Sequence, residues 1–191
     1  CSYFNTFFTY LLHINFVWGL FMSKTIFFDG VYLYSVSTVS GSKEKNGPLG
    51  KYFDYSFEGN LSSEKTYEQL ETKMIKTSID IALSKAHLSQ NEIDICVGGD
   101  LTDQISSSNE AMKNVNIPFV GVYGACSTSM LSLLVGSTYV SSGFCENVLT
   151  FTSSNYYAQE RQFRNPIEYG SFKKKTNTFT ATGAASILLT N

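Results

Sequence analysis

Hydrophobic positions along the chain form short blocks separated by polar turns, and the blocks switch between two periodicities. Thr25–Leu33 alternates as a first strand, whereas Ser35–Glu58, with Gly41, Gly47, Pro48, Gly50 and several charges, reads as a loop region. A helix is predicted over Ser63–Ala86, where Tyr67, Leu70, Met74, Ile81 and Ala82 follow helical spacing and Ser62 or Ser63 can cap the start. His87 falls at its end, where a solvated helix-terminal histidine is the ordinary reading. Ser89–Asp94 turns the chain into a second strand, Ile93–Val97, which runs into Gly98, Gly99 and Asp100. A helix over Gln104–Val115 then leads to a short buried strand around Phe119, Val120 and Val122, with Pro118 near its start.

Past the glycine turn at Gly124 the pattern predicts a helix with Cys126 in its first turn. From Cys126 through Cys145 there is no charged residue, and Met130, Leu131, Leu133, Leu134, Val135, Tyr139 and Val140 nearly encircle the axis. Such a helix is buried on every side or sits in a membrane. Its Ser, Thr and Gly content suits close packing against another helix, so it is expected to be central and doubly covered. Gly143 ends it, Val148–Thr152 forms a further strand, Asn155–Lys175 is a long polar connection, and Ala181–Thr190 closes as a strand.

Alternation of this kind predicts an α/β fold with a largely parallel sheet and helices on both faces. Sites in such sheets gather outside the carboxyl ends of the strands, and Asp100, Cys126 and Ser153–Asn155 all fall there. A thiol at a helix start faces unpaired N–H groups and the positive end of the helix dipole. Cys126 is therefore a candidate nucleophile or part of an anion pocket; the plainer reading is a small apolar residue packed beneath a helix.

Composition narrows the classes. The chain has 191 residues, 43% of them hydrophobic and 16% charged, and a net charge of −2, so it suits one domain with a real core and offers no nucleic-acid partner. Cys1, Cys96, Cys126 and Cys145 show no paired spacing, which implies neither a disulfide framework nor a zinc site and fits a reducing, intracellular setting. Residues 1–21 stand apart as an apolar, uncharged leader without the pattern of a signal peptide, and Met22 looks like an ordinary start. Asn5, Thr6, His13 and Asn15 weaken a membrane-anchor reading of that leader, which is the second choice. His13 lies within it and is discounted for chemistry.

The ordered run Lys45–Gly50 (KNGPLG), Gly99–Leu101 (GDL), Gly124–Thr128 (GACST), Thr152–Ser154 (TSS), Glu160–Arg164 (ERQFR), Glu168–Gly170 (EYG) and Thr182-Gly183 resembles the stage V sporulation protein AD family of the thiolase-like superfamily, close to the ketoacyl synthase III branch. The resemblance covers about Phe28 to Asn191. It implies a thiolase-like fold of two similar halves, each a five-stranded mixed sheet with helices on both faces. Residues 22–191 are then expected to supply the N-terminal half, in the order βαβαβαββ, with the C-terminal half missing. The helix after Cys126 is then expected to face its counterpart in that half. The function implied is binding of dipicolinic acid, or its calcium chelate, for uptake into the developing spore, alongside membrane proteins of the same operon, without catalysis and without a cofactor or resident metal. The full-length protein is expected to be a homodimer, cytoplasmic or peripheral at the inner spore membrane. The alternative is an acyltransferase of the condensing-enzyme type using Cys126 as nucleophile. The ligand positions implied are Cys126, Asp100 and Asn155, the last standing where the family pattern has histidine. Arg161 and Arg164 offer positive charge to a dianion, or else pair with Glu160 or Glu168.

Overall fold

The computed structural model describes residues 25–59, 61–163 and 180–191. Six strands form one mixed sheet: β1 (Tyr32–Ser40), β2 (Tyr55–Ser56), β3 (Ile95–Asp100), β4 (Phe119–Gly121), β5 (Asn147–Ser154) and β6 (Gly183–Thr190), ordered β2-β1-β6-β5-β3-β4. β3 runs parallel to β4 and β5, while β6 is antiparallel to both β5 and β1. Four of the five expected strands are present where expected, the first lies later in the chain and takes in Ser35–Ser40 that the pattern assigns to a loop, and the two-residue β2 extends the β1 edge in parallel.

Helices α1 (Ser42–Lys45), α2 (Tyr67–Ala86), α3 (Ser106–Met112), α4 (Thr128–Ser141) and α5 (Tyr156–Phe163) complete the chain. Strand alternation sorts the core into two layers. Cys96, Leu149, Phe151 and Leu188 join Leu70, Met74, Ile75, Ile79 and Ala82 of α2 in one cluster. Val97, Val148 and Leu189 point the other way, onto Val140 of α4. Both faces of the sheet are thus covered, as a central parallel strand requires.

Several boundaries differ from those the pattern predicts. The first strand is Tyr32–Ser40, whereas Thr25–Phe28 has no regular structure. Its inward positions include Ser35 and Ser37, whose hydroxyls donate to the α2 carbonyls of Ala82 and Ser78. The helix expected from Ser63 begins at Tyr67, because Ser62 and Ser63 hold left-handed backbone (φ 45° and 72°). Thr66 is the cap, accepting from the Gln69 N–H at 3.2 Å, and His87 ends the helix in the left-handed conformation. The helix after Gly124 starts at Thr128, not at Cys126, and it is not covered all round: Met130 is 65% and Leu134 41% exposed. The polar connection expected from Asn155 opens with α5. The leader 1–21, His13, Arg164 and Glu168 lie outside the described residues.

Candidate functional site

β3, β4 and β5 run the same way, so Asp100, Tyr123–Cys126 and Ser153–Asn155 meet at one edge of the sheet. The turn that carries Cys126 rests directly on β3. A Cβ added to Gly99 would lie 2.0 Å from the Val122 carbonyl oxygen and 3.2 Å from Thr128 Cγ2, so only glycine lets the two backbones approach this closely. The turn is wound by its own side chains: Ser127 Oγ donates to the Gly124 carbonyl at 2.7 Å, and Thr128 Oγ donates to the Ala125 carbonyl at 2.8 Å. The Gly124 N–H in turn donates to Thr128 Oγ at 3.1 Å. Ala125 takes a positive φ of 49°, an unusual conformation for a residue with a Cβ, and the following Cys126 is turned out to solvent. Cys126 thus sits in a 3-10 turn, Ala125–Ser127, just ahead of α4. Beside it, burial and then the charges of Asp103, Cys126 and Asp100 push the Tyr123 phenol above its ordinary pKa.

Asp100 is fully buried and turned inward. Its Oδ1 accepts from the N–H of Thr102 at 3.0 Å and from the Thr102 hydroxyl; its Oδ2 accepts from the N–H and hydroxyl of Ser108 at 2.8 and 2.7 Å. These bonds anchor the first turn of α3, whose N-terminal N–H groups need acceptors. Asn155 is also fully buried. Its amide donates to the Tyr67 carbonyl at 3.3 Å, and its Oδ1 accepts from the Tyr157 N–H at 3.0 Å. Of the five positions named from sequence, Cys126 presents itself to solvent, while Asp100 and Asn155 bond within the fold. Arg161 lies on α5 with its side chain outside the description, and Arg164 is outside the described residues.

Sequence reasoning passed over Glu71, the acid at the centre of this edge. It is 0% exposed and lies on the buried face of α2. Ser153 Oγ donates to its Oε1 at 2.9 Å and Ser107 Oγ to its Oε2 at 3.2 Å. The Gln159 amide lies against the same carboxylate, although its buried Nε2 completes no hydrogen bond. Burial first, and the Asp100 charge second, push the Glu71 pKa up to about 7, against the donors that stabilise the ionised form. The available signal was an acid one residue after Leu70 and three before Met74, inside an apolar stripe.

Also unforeseen is a cation and aromatic group at the end of β1. Lys43 Nζ stands 4.3 Å from the ring centre of Tyr156 and 5.4 Å from that of Tyr157. Tyr157 stacks on Tyr67 with centres 4.6 Å apart. Among the described residues no group of three or more His, Cys, Asp or Glu is placed to hold a metal ion, and no helix is long and apolar enough to cross a membrane.

The family model for Stage V sporulation protein AD (SpoVAD) matches residues 22–191. The chain is 37% identical over 164 residues to stage V sporulation protein AD of Bacillus subtilis (strain 168), covering 86% of this chain and 48% of that protein. It therefore spans about half the length of this relative. Among solved structures, an OleA variant from Xanthomonas campestris matches with a TM-score of 0.58 at 13% identity, over 86% of this chain and 59% of the other. The 3-oxoacyl-[acyl-carrier-protein] synthase III of Aquifex aeolicus VF5 matches with a TM-score of 0.52 at 18% identity, over 85% and 54%. The priming β-ketosynthase of the R1128 polyketide pathway gives 0.55 at 14%, over 88% and 52%. At these identities the likeness shows the shared fold, the thiolase-like α/β architecture, and nothing of chemistry.

Proposed function

This chain belongs to the stage V sporulation protein AD family, and from that membership we propose that it forms one wall of a binding site for dipicolinic acid or its calcium chelate. In this reading the protein serves uptake of that compound into the developing spore, together with membrane proteins of the same operon, and does no chemistry on it. It acts from the cytoplasm or the surface of the inner spore membrane, as a homodimer when full length. The observation that carries the reading is the family match over residues 22–191, to which the fold adds an exposed Cys126 thiol on a tight turn at the carboxyl edge. His87 stands at the opposite edge, since α2 begins beside Asn155 and ends beyond the Ser35 contact at Ala82. A flat dianion needs donors and positive charge. Lys43 supplies a cation on this rim, and we assign the same task to Arg161 and Arg164. Both oxygens of Asp100 already accept from Thr102 and Ser108, so in this reading the calcium arrives as part of the chelate and not through Asp100.

Titration calorimetry of the intact protein with dipicolinate, with and without calcium, tests this. Cys126→Ala is expected to weaken binding, and affinity unchanged in that variant would remove Cys126 from the site. The exposed thiol also keeps the acyltransferase alternative specific. Incubation with acyl-CoA followed by intact-mass analysis would then show a thioester adduct that Cys126→Ala abolishes, and an unmodified protein would count against it.

A further inference from the structure

We propose that Glu71 is a proton-operated latch that holds α5 against α2, closed when the carboxyl is neutral and loosened when it ionises. The inference goes beyond the ligand reading and does not depend on which ligand the rim takes. It begins from a two-rung ladder. Tyr67 and Glu71 are one turn apart on α2, and Asn155 and Gln159 are one turn apart at the start of α5. Asn155 donates to the Tyr67 carbonyl at 3.3 Å, and Gln159 lies against Glu71. Gln159 Oε1 also accepts from the Asn155 N–H, so the rungs are tied to each other. Tyr157 stacks on Tyr67 at the side of the ladder.

Gln159 brings α5 against the Glu71 carboxyl, and both sides of this contact are buried. Ala158 is 5% and Gln159 1% exposed, and Glu71 itself is 0% exposed. The other groups around the carboxyl are Ser107 of α3 and Ser153 of β5, both neutral, and Asp100 of β3. Among the described residues Asp100 is the charged side chain that acts on Glu71, and its like charge opposes ionisation. Undocking α5 would admit water and relieve a charged Glu71, while it gives nothing to a neutral one. Proton linkage then fixes the direction: the open form gains as pH rises through the Glu71 titration. Asn155 and α5 stand at the carboxyl rim beside Lys43, so the latch couples the shape of that rim to pH.

Amide hydrogen exchange of α5 in the intact protein, read between pH 5.5 and 8.5 and corrected for intrinsic base catalysis, tests the proposal. With an ordinary value of 4.5 for the water-exposed carboxyl and about 7 for the closed form, the opening constant of the unsubstituted protein should rise by up to about tenfold per unit towards pH 7 and level off above it. Glu71→Gln, which mimics the neutral acid, should stay protected throughout. A flat corrected profile in the unsubstituted protein, or the same rise in Glu71→Gln, would overturn the latch. Carbon-13 carboxyl spectra of the unsubstituted protein give a second measurement that needs no variant to fold. They should show one glutamate titrating near pH 7, and none titrating above pH 6 would overturn it.

Discussion

Ser108 donates twice to one oxygen of Asp100, through its N–H at 2.8 Å and its hydroxyl at 2.7 Å, so the acid that ends β3 also anchors α3. This changes what substitution of Asp100 can report. Asp100→Ala would leave the Thr102 and Ser108 donors buried without an acceptor, at a cost of about 3 kcal/mol or more. The expected result is a large fall in urea midpoint, with any loss of ligand binding following from it. Near-native stability combined with lost dipicolinate binding would instead restore Asp100 to the pocket.

Gly99 fixes where the Cys126 turn can sit. A methyl there meets the Val122 carbonyl oxygen at 2.0 Å, and backbone cannot move aside as a flexible side chain can. Gly99→Ala should destabilise by about 3 kcal/mol through overpacking and shift β4 from β3. Thermal unfolding reads the first effect. Faster exchange of the Val122 N–H, which donates to the Gly98 carbonyl at 2.9 Å, reads the second.

The alternating order of elements, the two-faced sheet and the edge where Cys126 lies were legible from hydrophobic spacing. The first strand was not, because its core positions are serines. Ser35, Ser37 and Ser40 look like loop residues until α2 and β2 supply their hydrogen-bond partners. Glu71 was hidden for the same reason: an acid within an apolar stripe becomes meaningful when Ser107, Ser153 and Asp100 converge on it from distant segments. Asp100 and Asn155 were correctly placed at the edge. Side-chain direction, which turns both inward, depends on contacts that no local pattern encodes.

Thiol reactivity should follow exposure. Cys126 is exposed and Cys145 half-buried, while Cys96 is fully buried within the α2-side core. Burial raises the pKa of the Cys96 thiol strongly; burial and the Asp94 charge raise that of Cys145. Iodoacetamide under native conditions is therefore expected to label these three in the order Cys126, Cys145, Cys96. Peptide mass spectrometry over time would show it, and early labelling of Cys96 would contradict the core assignment.

Met130 and Leu134 are one helical turn apart on α4, the first largely and the second partly exposed. An apolar pair on the helix next to Cys126 should make the chain self-associate as concentration rises. Replacing both with glutamate should reduce that association in sedimentation velocity. The fold should lose less than about 0.5 kcal/mol, since neither side chain is in the core. Unchanged association would place the sticky surface elsewhere.

The strongest pH effect on global stability should come from Glu71. Its folded-state pKa of about 7 stands above the ordinary value of 4.5, so the folded protein holds a proton that the unfolded chain releases between those pH values. Stability from this group is therefore complete below pH 4.5 and is lost as pH rises through about 7, the reverse of a salt-bridged acid. A gap of this size corresponds to about 3 kcal/mol. Other carboxylates titrate in the same range, so the informative quantity is a difference between two proteins. Urea unfolding at pH 5 and pH 8 should show the unsubstituted protein losing stability relative to Glu71→Gln, which cannot ionise. Parallel profiles would mean that water or a cation reaches the carboxylate and has already met the cost of its charge.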